Sequence, residues 1–301
     1  MKGIVPSLNT PFDADNAIDH CSLRRLVNHT VEAGCGGMLA LAVAGEYPTL
    51  TQDEKTAVIE TVAETNALRI PLIVSVTAAD QEASVALTKA ARSAGAAGIC
   101  VQLPVSRDRQ EKLGFLQELE CHAPSILMVQ DLDWSGGGLS LDEIQYLYEN
   151  VKGFSWLKIE TAQPGPKYSA VMRANNGALN VCGGWAVTQL MDAMARGVNA
   201  FIPTGLESVY VAIYRMYESG EHSAARALFE RVLPILNFSN QHIDTSILFF
   251  KQLRKAEGIF DTANCRTANA KFDEVQQIEA GFALSSALEL IRLHQSGSQY
   301  A

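Results

Sequence analysis

Eight short, nearly continuous apolar runs recur about every 25 residues along the chain, and this repetition constrains the fold more than any other feature of the sequence. The runs lack the polar alternation of half-exposed strands, which is typical of parallel strands covered on both faces. They predict strands at residues 3–9, 37–42, 71–76, 98–103, 125–130, 154–160, 179–183 and 199–203.

Amphipathic segments separate these runs and predict helices. Thr51 with Glu54, and Ser140 with Glu143, have the spacing of capping boxes at helix starts. Three glycines follow helix ends, where a left-handed residue is favoured: Gly34, Gly95 and Gly197. The predicted helices cover residues 18–33, 51–67, 81–95, 107–120, 140–150, 166–176, 187–196 and 206–219.

This alternation predicts an α/β chain that folds as a (β/α)8 TIM barrel over residues 1–220. Three further helical patterns, at residues 221–237, 243–256 and 273–296, have no strand between them. They predict a C-terminal three-helix appendage over residues 221–301. A doubly wound sheet is the alternative, but no glycine-rich phosphate turn follows the first predicted strand.

Composition narrows the classes of function. A formal net charge of -9 argues against nucleic acid or an anionic membrane as a partner. No apolar run reaches the roughly 18 residues of a membrane-spanning helix, and the chain enters a predicted strand at once, which leaves no room for a signal peptide. We therefore expect a cytoplasmic protein. Six cysteines without CxxC spacing predict reduced thiols, and six dispersed histidines predict no metal site.

Lys158 is an unexpected charge in the middle of an apolar run, residues 153–160. Taking an unpaired ammonium out of water costs several kcal/mol, so such a lysine is usually paired, neutral or chemically employed. Burial lowers a lysine pKa, which would leave a free amine able to attack a carbonyl and form a Schiff base. The structural alternative is an ion pair with Glu160.

Side chains two residues apart point to the same face of a strand, so Trp156, Lys158 and Glu160 share one face. Active groups of a barrel lie at the C-terminal ends of its strands. Trp156 is therefore predicted to fill the core or form a pocket wall. Further candidates at strand ends are Gly45, Glu46, Gln130, Asp131, Gly184 and Trp185.

The motifs at several strand ends resemble those of the dihydrodipicolinate synthase / N-acetylneuraminate lyase family. They are Asn-Thr-Pro-Phe-Asp at residues 9–13, Gly-Glu-Tyr-Pro-Thr-Leu-Thr at 45–51, the lysine of strand 6, residues 195–203 and the three C-terminal helices. The resemblance implies a (β/α)8 class I aldolase that binds a 2-keto acid, usually pyruvate, as a Schiff base on Lys158. It also implies a homotetramer or homodimer that needs no metal or organic cofactor.

The chain departs from the family pattern after strand 2. Relatives carry hydroxyl residues before Gly-Glu, and these hold the substrate carboxylate and relay protons. Here the run is Ala-Val-Ala-Gly-Glu at residues 42–46. We expect backbone N–H groups around Ala44 and Gly45 to hold the carboxylate instead, and Glu46 to stabilise the loop by accepting backbone N–H bonds.

A second departure follows strand 5. Gln130 stands where relatives have a tyrosine as general acid and base, and an amide cannot exchange protons at neutral pH. The arginine that relatives use for a second substrate falls at about Ser135. These changes argue against dihydrodipicolinate synthase itself. Replacement acids are Glu160, ranked first because it shares a strand face with Lys158, then Asp131.

Other polar residues near the predicted mouth have weaker functional readings. Asp133 is better explained as a solvated loop carboxylate or cap than as an acid. Gly184 and Trp185 are candidates for the pocket lining. Three glycines at residues 136–138 predict a mobile lid or a simple linker, and Lys167 is predicted to be exposed.

The sequence thus supports a Schiff-base lyase, of aldolase or dehydratase type, acting on a 2-keto acid such as pyruvate or a keto-deoxy sugar acid. The alternative is a barrel that binds a small metabolite without aldolase chemistry, which the missing tyrosine and hydroxyl residues favour. A metal-dependent aldolase is disfavoured because the histidines are not clustered.

Overall fold

The computed structural model describes residues 1–184 and 188–295. Its strands are β1 Gly3–Ile4, β2 Met38–Ala40, β3 Leu72–Ser75, β4 Gly98–Gln102, β5 Ile126–Asp133, β6 Phe154–Thr161, β7 Asn180–Gly183 and β8 Ala200–Phe201. Its helices are α1 His20–Glu32, α2 Gln52–Asn66, α3 Gln81–Ser93, α4 Arg109–His122, α5 Leu141–Asn150, α6 Pro164–Ala174, α7 Leu190–Ala195, α8 Glu207–Glu218, α9 His222–Ser239, α10 Ile243–Ala256 and α11 Glu274–Gln295.

The eight strands pair in parallel in the order β1-β8-β7-β6-β5-β4-β3-β2. A parallel bridge between Ser7 and Leu39 joins the two ends of this sheet, so the sheet closes into the predicted (β/α)8 barrel. The first and last strands, β1 and β8, are shorter than predicted. Pro6 and Pro203 follow them and have no N–H with which to continue the hydrogen-bond ladder.

The barrel interior is filled by one compact cluster of side chains. Trp156 is 5% exposed and lies in this cluster, as predicted for a residue of the inward face of β6. The other buried members all have smaller side chains than Trp156: Val5, Leu39, Ala42, Ile73, Cys100, Met128, Cys182, Ala200 and Ile202. A larger core separates the outer face of the sheet from the helices. The interior is therefore packed below the mouth, and any ligand must bind above Trp156.

The helix ends follow the sequence signals closely. Thr51 and Glu54 form the complete capping box at the start of α2. Ser140 accepts a hydrogen bond from the Glu143 N–H, but the Glu143 carboxylate instead pairs with Lys112 at 2.7 Å. The three glycines predicted to end helices all have positive φ, between 79° and 91°.

The C-terminal helices pack against the barrel, and α10 reaches its mouth. Lys251 of α10 is fully buried and ion-paired with Glu46, directly after the β2 turn. Arg254, one turn further along α10, pairs with buried Glu207 at the start of α8. None of the helices in residues 1–184 and 188–295 is long and apolar enough to cross a bilayer.

Candidate active site

Lys158 lies on the inner wall of the barrel, near the C-terminal end of β6. Its residue partners across the sheet are Gln130 on β5 and Cys182 on β7. The side chain is 5% exposed. It stands one step above Trp156, because alternate residues of a strand face the same way. Lys158 therefore lies at the bottom of the barrel mouth, directly above the packed interior.

Glu160 is the nearest acid to this lysine. Its Oε1 lies 3.1 Å from Lys158 Nζ, and its Oε2 accepts a hydrogen bond from the Gln130 amide. Gly184 packs so closely against the carboxylate that a Cβ there would overlap it. Gln130 and Gly184 therefore hold Glu160 in place, while Glu160 faces the lysine.

The pKa of Lys158 reflects two opposing effects. Burial lowers it, but the charge of Glu160 raises it, and the net pKa lies above the ordinary value of lysine. The expectation of a depressed pKa is therefore wrong, because it left out the carboxylate paired with the lysine. A proton must pass from Lys158 to Glu160, or to another base, before the amine can attack.

A narrow cavity of about 40 Å³ opens above Lys158. Its lining comes from strand ends, loops and α10: Ser7, Ala42, Val43, Ala44, Gln130, Trp134, Lys158, Glu160, Ile202, Thr204, Ile243 and Ser246. A larger groove of about 460 Å³ lies between α9 and α11. Glu279 is the one titratable residue in the lining of that groove, so it offers no comparable chemistry.

The turn after β2 contributes backbone to this cavity. Residues Val43–Gly45 form a short 3-10 helix, whose first N–H groups have no acceptor within the helix. Ala44 lies in the cavity lining, as predicted. The Gly45 N–H instead donates to Ala42 O at 2.9 Å. Val43 and Ala44 both line the cavity, and they are the first two residues of this 3-10 helix.

Glu46 does not line the cavity. One carboxylate oxygen pairs with Lys251, and the other accepts from the N–H groups of Arg266 and Thr267, each at 2.8 Å. Lys251 Nζ lies 4.2 Å from the centre of the Phe12 ring. This places Glu46 as a link between the β2 turn and the segment after α10, in line with the loop-stabilising role expected for it.

Asp131 points to the outside of the barrel. Its Oδ2 lies 2.5 Å from Lys167 Nζ, and its Oδ1 accepts from the Leu139 N–H at 2.8 Å. Lys167 is only 14% exposed and also donates to the carbonyls of Gly137 and Leu139, so the prediction of an exposed lysine is wrong. Asp131 holds the β5–α5 loop and does not reach the cavity.

Asp133 is the last residue of β5, and Trp134 begins the β5–α5 loop. Asp133 accepts hydrogen bonds from the N–H groups of Ser135 and Gly138, which lower its pKa and identify it as a loop cap. Trp134 lines the cavity and is 44% exposed. Trp185, which was predicted to line the pocket, lies outside the described residues.

Sequence reasoning did not single out five of the cavity residues: Ser7, Ile202, Thr204, Ile243 and Ser246. Ser7 and Ile202 lie within predicted barrel strands and Thr204 directly follows one, so their positions carried a usable signal. Ile243 and Ser246 are on α10, and nothing in a helical pattern indicates that this helix reaches a barrel mouth 85 or more residues away in sequence from Lys158.

The family model for the dihydrodipicolinate synthetase family matches residues 1–287. The chain therefore belongs to the dihydrodipicolinate synthetase family, and the resemblance seen in its motifs is confirmed. Members of the family are class I lyases and dehydratases that act on keto acids through a Schiff base.

Individual relatives differ in chemistry. L-2-keto-3-deoxyarabonate dehydratase of Azospirillum brasilense is 27% identical over 268 residues, covering 86% of this chain and 85% of that protein. The 4-hydroxy-tetrahydrodipicolinate synthase of Methylacidiphilum fumariolicum SolV has a TM-score of 0.88 at 20% identity, covering 98% of this chain and 99% of that one. The N-acetylneuraminate lyase of Proteus mirabilis has a TM-score of 0.85 at 16% identity, covering 95% and 98%. The two structures confirm the fold.

Proposed function

We propose that this chain is a class I lyase that binds a 2-keto acid as a Schiff base on Lys158, with Glu160 as its general acid and base. The main support is the buried Lys158–Glu160 pair in the wall of the mouth cavity, where Lys158 Nζ lies 3.1 Å from Glu160 Oε1. Family membership supports the reaction class, and the geometry supports the choice of residues.

The pair can supply the proton transfers of imine formation. Glu160 takes a proton from the Lys158 ammonium, and the amine adds to the C2 carbonyl of the acid. The C2 oxygen then receives two protons, one from the added nitrogen and one from Glu160, and leaves as water, so that an iminium remains on C2. The iminium accepts the electron pair released at C3, either when a C3 proton is removed or when the C3–C4 bond breaks.

The substrate carboxylate fits the turn after β2. Val43 and Ala44 begin the 3-10 helix and line the same cavity as Lys158, so their N–H groups are the ones we propose for the carboxylate. Successive backbone amides of this kind bind anions without charged side chains. They take the place of the hydroxyl residues that the family resemblance led us to expect. Glu46, Asp131 and Gly184 support the site without contacting substrate.

Borohydride reduction in the presence of 2-keto acids tests the proposal. We expect intact mass spectrometry to show one reduced adduct, which peptide mapping places on Lys158. The adduct should be lost in Lys158→Ala. Lys112→Met is the matched control, because Lys112 is also buried and ion-paired but lies outside the cavity.

Two results would contradict the proposal. An adduct on another lysine would remove Lys158 from its role. The absence of any adduct with pyruvate, 2-ketobutyrate and 2-keto-3-deoxy sugar acids would favour the alternative, a barrel that binds a metabolite without this chemistry. That alternative draws on the missing tyrosine and hydroxyl residues at positions 42–44 and 130.

The remaining expectations are separate from the chemistry. A cytoplasmic location, assembly as a homotetramer or homodimer, and the division into residues 1–220 and 221–301 stay predictions. Light scattering coupled to size-exclusion chromatography measures the assembly directly, with masses near 65 and 130 kDa expected for a dimer and a tetramer of the 32.6 kDa chain.

A further inference from the structure

Three buried hydroxyl side chains face the cavity around Lys158. They are Ser7 after β1, Thr204 after β8 and Ser246 on α10, and each is between 6% and 7% exposed. The Ser7 N–H donates to Pro203 O at 2.8 Å, which places Ser7 beside Thr204. One side of the cavity thus carries hydroxyls, while the β2 turn contributes backbone amides.

The hydroxyl of Ser7 makes no hydrogen bond to any group of residues 1–184 and 188–295, although its Oγ is buried. Leaving a buried hydroxyl unbonded is costly, so such groups in folded proteins need a reason. A polar ligand in the cavity would provide the hydrogen bond that the Ser7 hydroxyl lacks.

Ser246 is held in position by the anchoring of α10. The Lys251–Glu46 and Arg254–Glu207 ion pairs fix the helix to the β2 turn and to the start of α8. All four side chains are at most 2% exposed, so the helix cannot shift without breaking buried charge pairs. The hydroxyl of Ser246 is therefore presented from a rigid support.

We infer that Ser7, Thr204 and Ser246 form a subsite for the hydroxyl groups of the substrate beyond C3. The inference rests on the proposed Schiff base at Lys158, which anchors C2, and it selects a 2-keto-3-deoxy sugar acid over pyruvate. Ile202 and Ile243 line the same cavity. Among the described residues, the lining accepts neutral hydroxyls and offers no cation for a second carboxylate apart from Lys158.

Paired ligands test the subsite without relying on turnover. Calorimetry measures the dissociation constants of a 2-keto-3-deoxypentonate and of 2-ketovalerate, which has the same carbon chain without hydroxyls. We expect the hydroxylated acid to bind wild-type protein at least about tenfold more tightly. Ser7→Ala and Ser246→Ala should each reduce this preference about fivefold.

Ser155→Ala is the matched control. The Ser155 hydroxyl is also buried and without a partner among the described residues, but it does not line the cavity. Its substitution should leave the preference within twofold of wild type. Circular dichroism melting of each variant checks that the fold is intact.

The outcomes separate the two proposals. Equal affinity for the two acids in wild-type protein, or an unchanged preference in both Ser7→Ala and Ser246→Ala, overturns the hydroxyl subsite. Borohydride trapping in parallel reports on Lys158 independently: preference without an adduct overturns the Schiff base and keeps the subsite, whereas an adduct without preference does the reverse.

Discussion

At Lys158, burial is the largest single effect on the pKa of the ammonium, and it lowers that pKa. The charge and hydrogen bond of Glu160, 3.1 Å away, together with smaller contributions from Cys100 and Cys182, oppose burial and leave the pKa above its ordinary value. Because the folded pKa lies above the unfolded one, the pair stabilises the fold below about pH 10.5 and loses this effect as pH rises through the folded pKa. The same ion pair keeps the Lys158 amine protonated, so a base must remove a proton before the amine can attack a carbonyl.

Glu160→Gln should move the pH dependence of imine formation. Without the carboxylate, burial acts alone and lowers the pKa of Lys158, so the amine becomes free at lower pH. We expect the midpoint of the trapping rate with a 2-keto acid to fall by about one pH unit or more. Turnover should also fall, because the general acid and base is lost.

The trapping rate is measured from pH 6 to pH 11. Glu143→Gln serves as the control, since Glu143 pairs with a different buried lysine, Lys112. A midpoint that is the same in wild type and Glu160→Gln would show that Glu160 does not set the protonation of Lys158.

The β5–α5 loop is held in place by an ion pair that includes Asp131, a residue that the sequence suggested as a catalytic acid. Asp131 and Lys167 meet at 2.5 Å, and Lys167 also binds the carbonyls of Gly137 and Leu139. Gly138 has φ of +67° and packs against the Asp131 carboxylate. The glycine-rich segment is therefore a bonded loop that positions Trp134, rather than the mobile lid or plain linker we considered from sequence.

Lys167→Met should destabilise the protein by about 3 kcal/mol, because it leaves the Asp131 carboxylate buried without a cation. Asp131→Asn combined with Lys167→Met should recover most of that loss. Urea denaturation measures both free energies of unfolding. If the single and double variants are equally stable, the pair does not hold the loop.

At the scale of the whole molecule, the C-terminal segment is tied to the barrel through the β2 turn and α2. Glu46 binds Lys251 and the backbone of residues 266 and 267, while Arg266 pairs with Glu54 on α2 at 2.7 Å. The hydrogen bonds from Arg266 lower the pKa of Glu54 to about 2. A helix that supplies cavity residues is thus joined to the turn that supplies cavity amides.

Glu54→Gln should weaken the fold in a pH-dependent way. The folded pKa of Glu54 lies below its ordinary 4.5, so its contribution is present above pH 4.5 and is lost as pH falls towards 2. We expect a loss of about 1–2 kcal/mol at pH 7, reduced by screening because the side chain is 26% exposed. The difference from wild type should fall to roughly a quarter of its pH 7 value at pH 2.5, because the folded-state carboxylate is then partly protonated.

Denaturation at both pH values measures this effect. Glu64→Gln on the exposed side of α2 is the control and should change stability little at either pH. A Glu54→Gln deficit of the same size at pH 7 and pH 2.5 would mean that the ionised carboxylate is not the source of the stabilisation.

The sequence by itself determined the barrel, the strand that carries Lys158 and the face shared with Glu160, because apolar periodicity and strand alternation are local properties of the chain. The same alternation, which we did not apply to β5, would have separated Gln130 from Asp131, and Asp131 was therefore kept as a candidate. Only the tertiary structure decided the rest: the raised pKa of Lys158, the partner of Lys167, and the entry of Ser246 into the cavity. Each depends on distances between groups far apart in sequence, and both charge interactions and cavity shape are set by those distances.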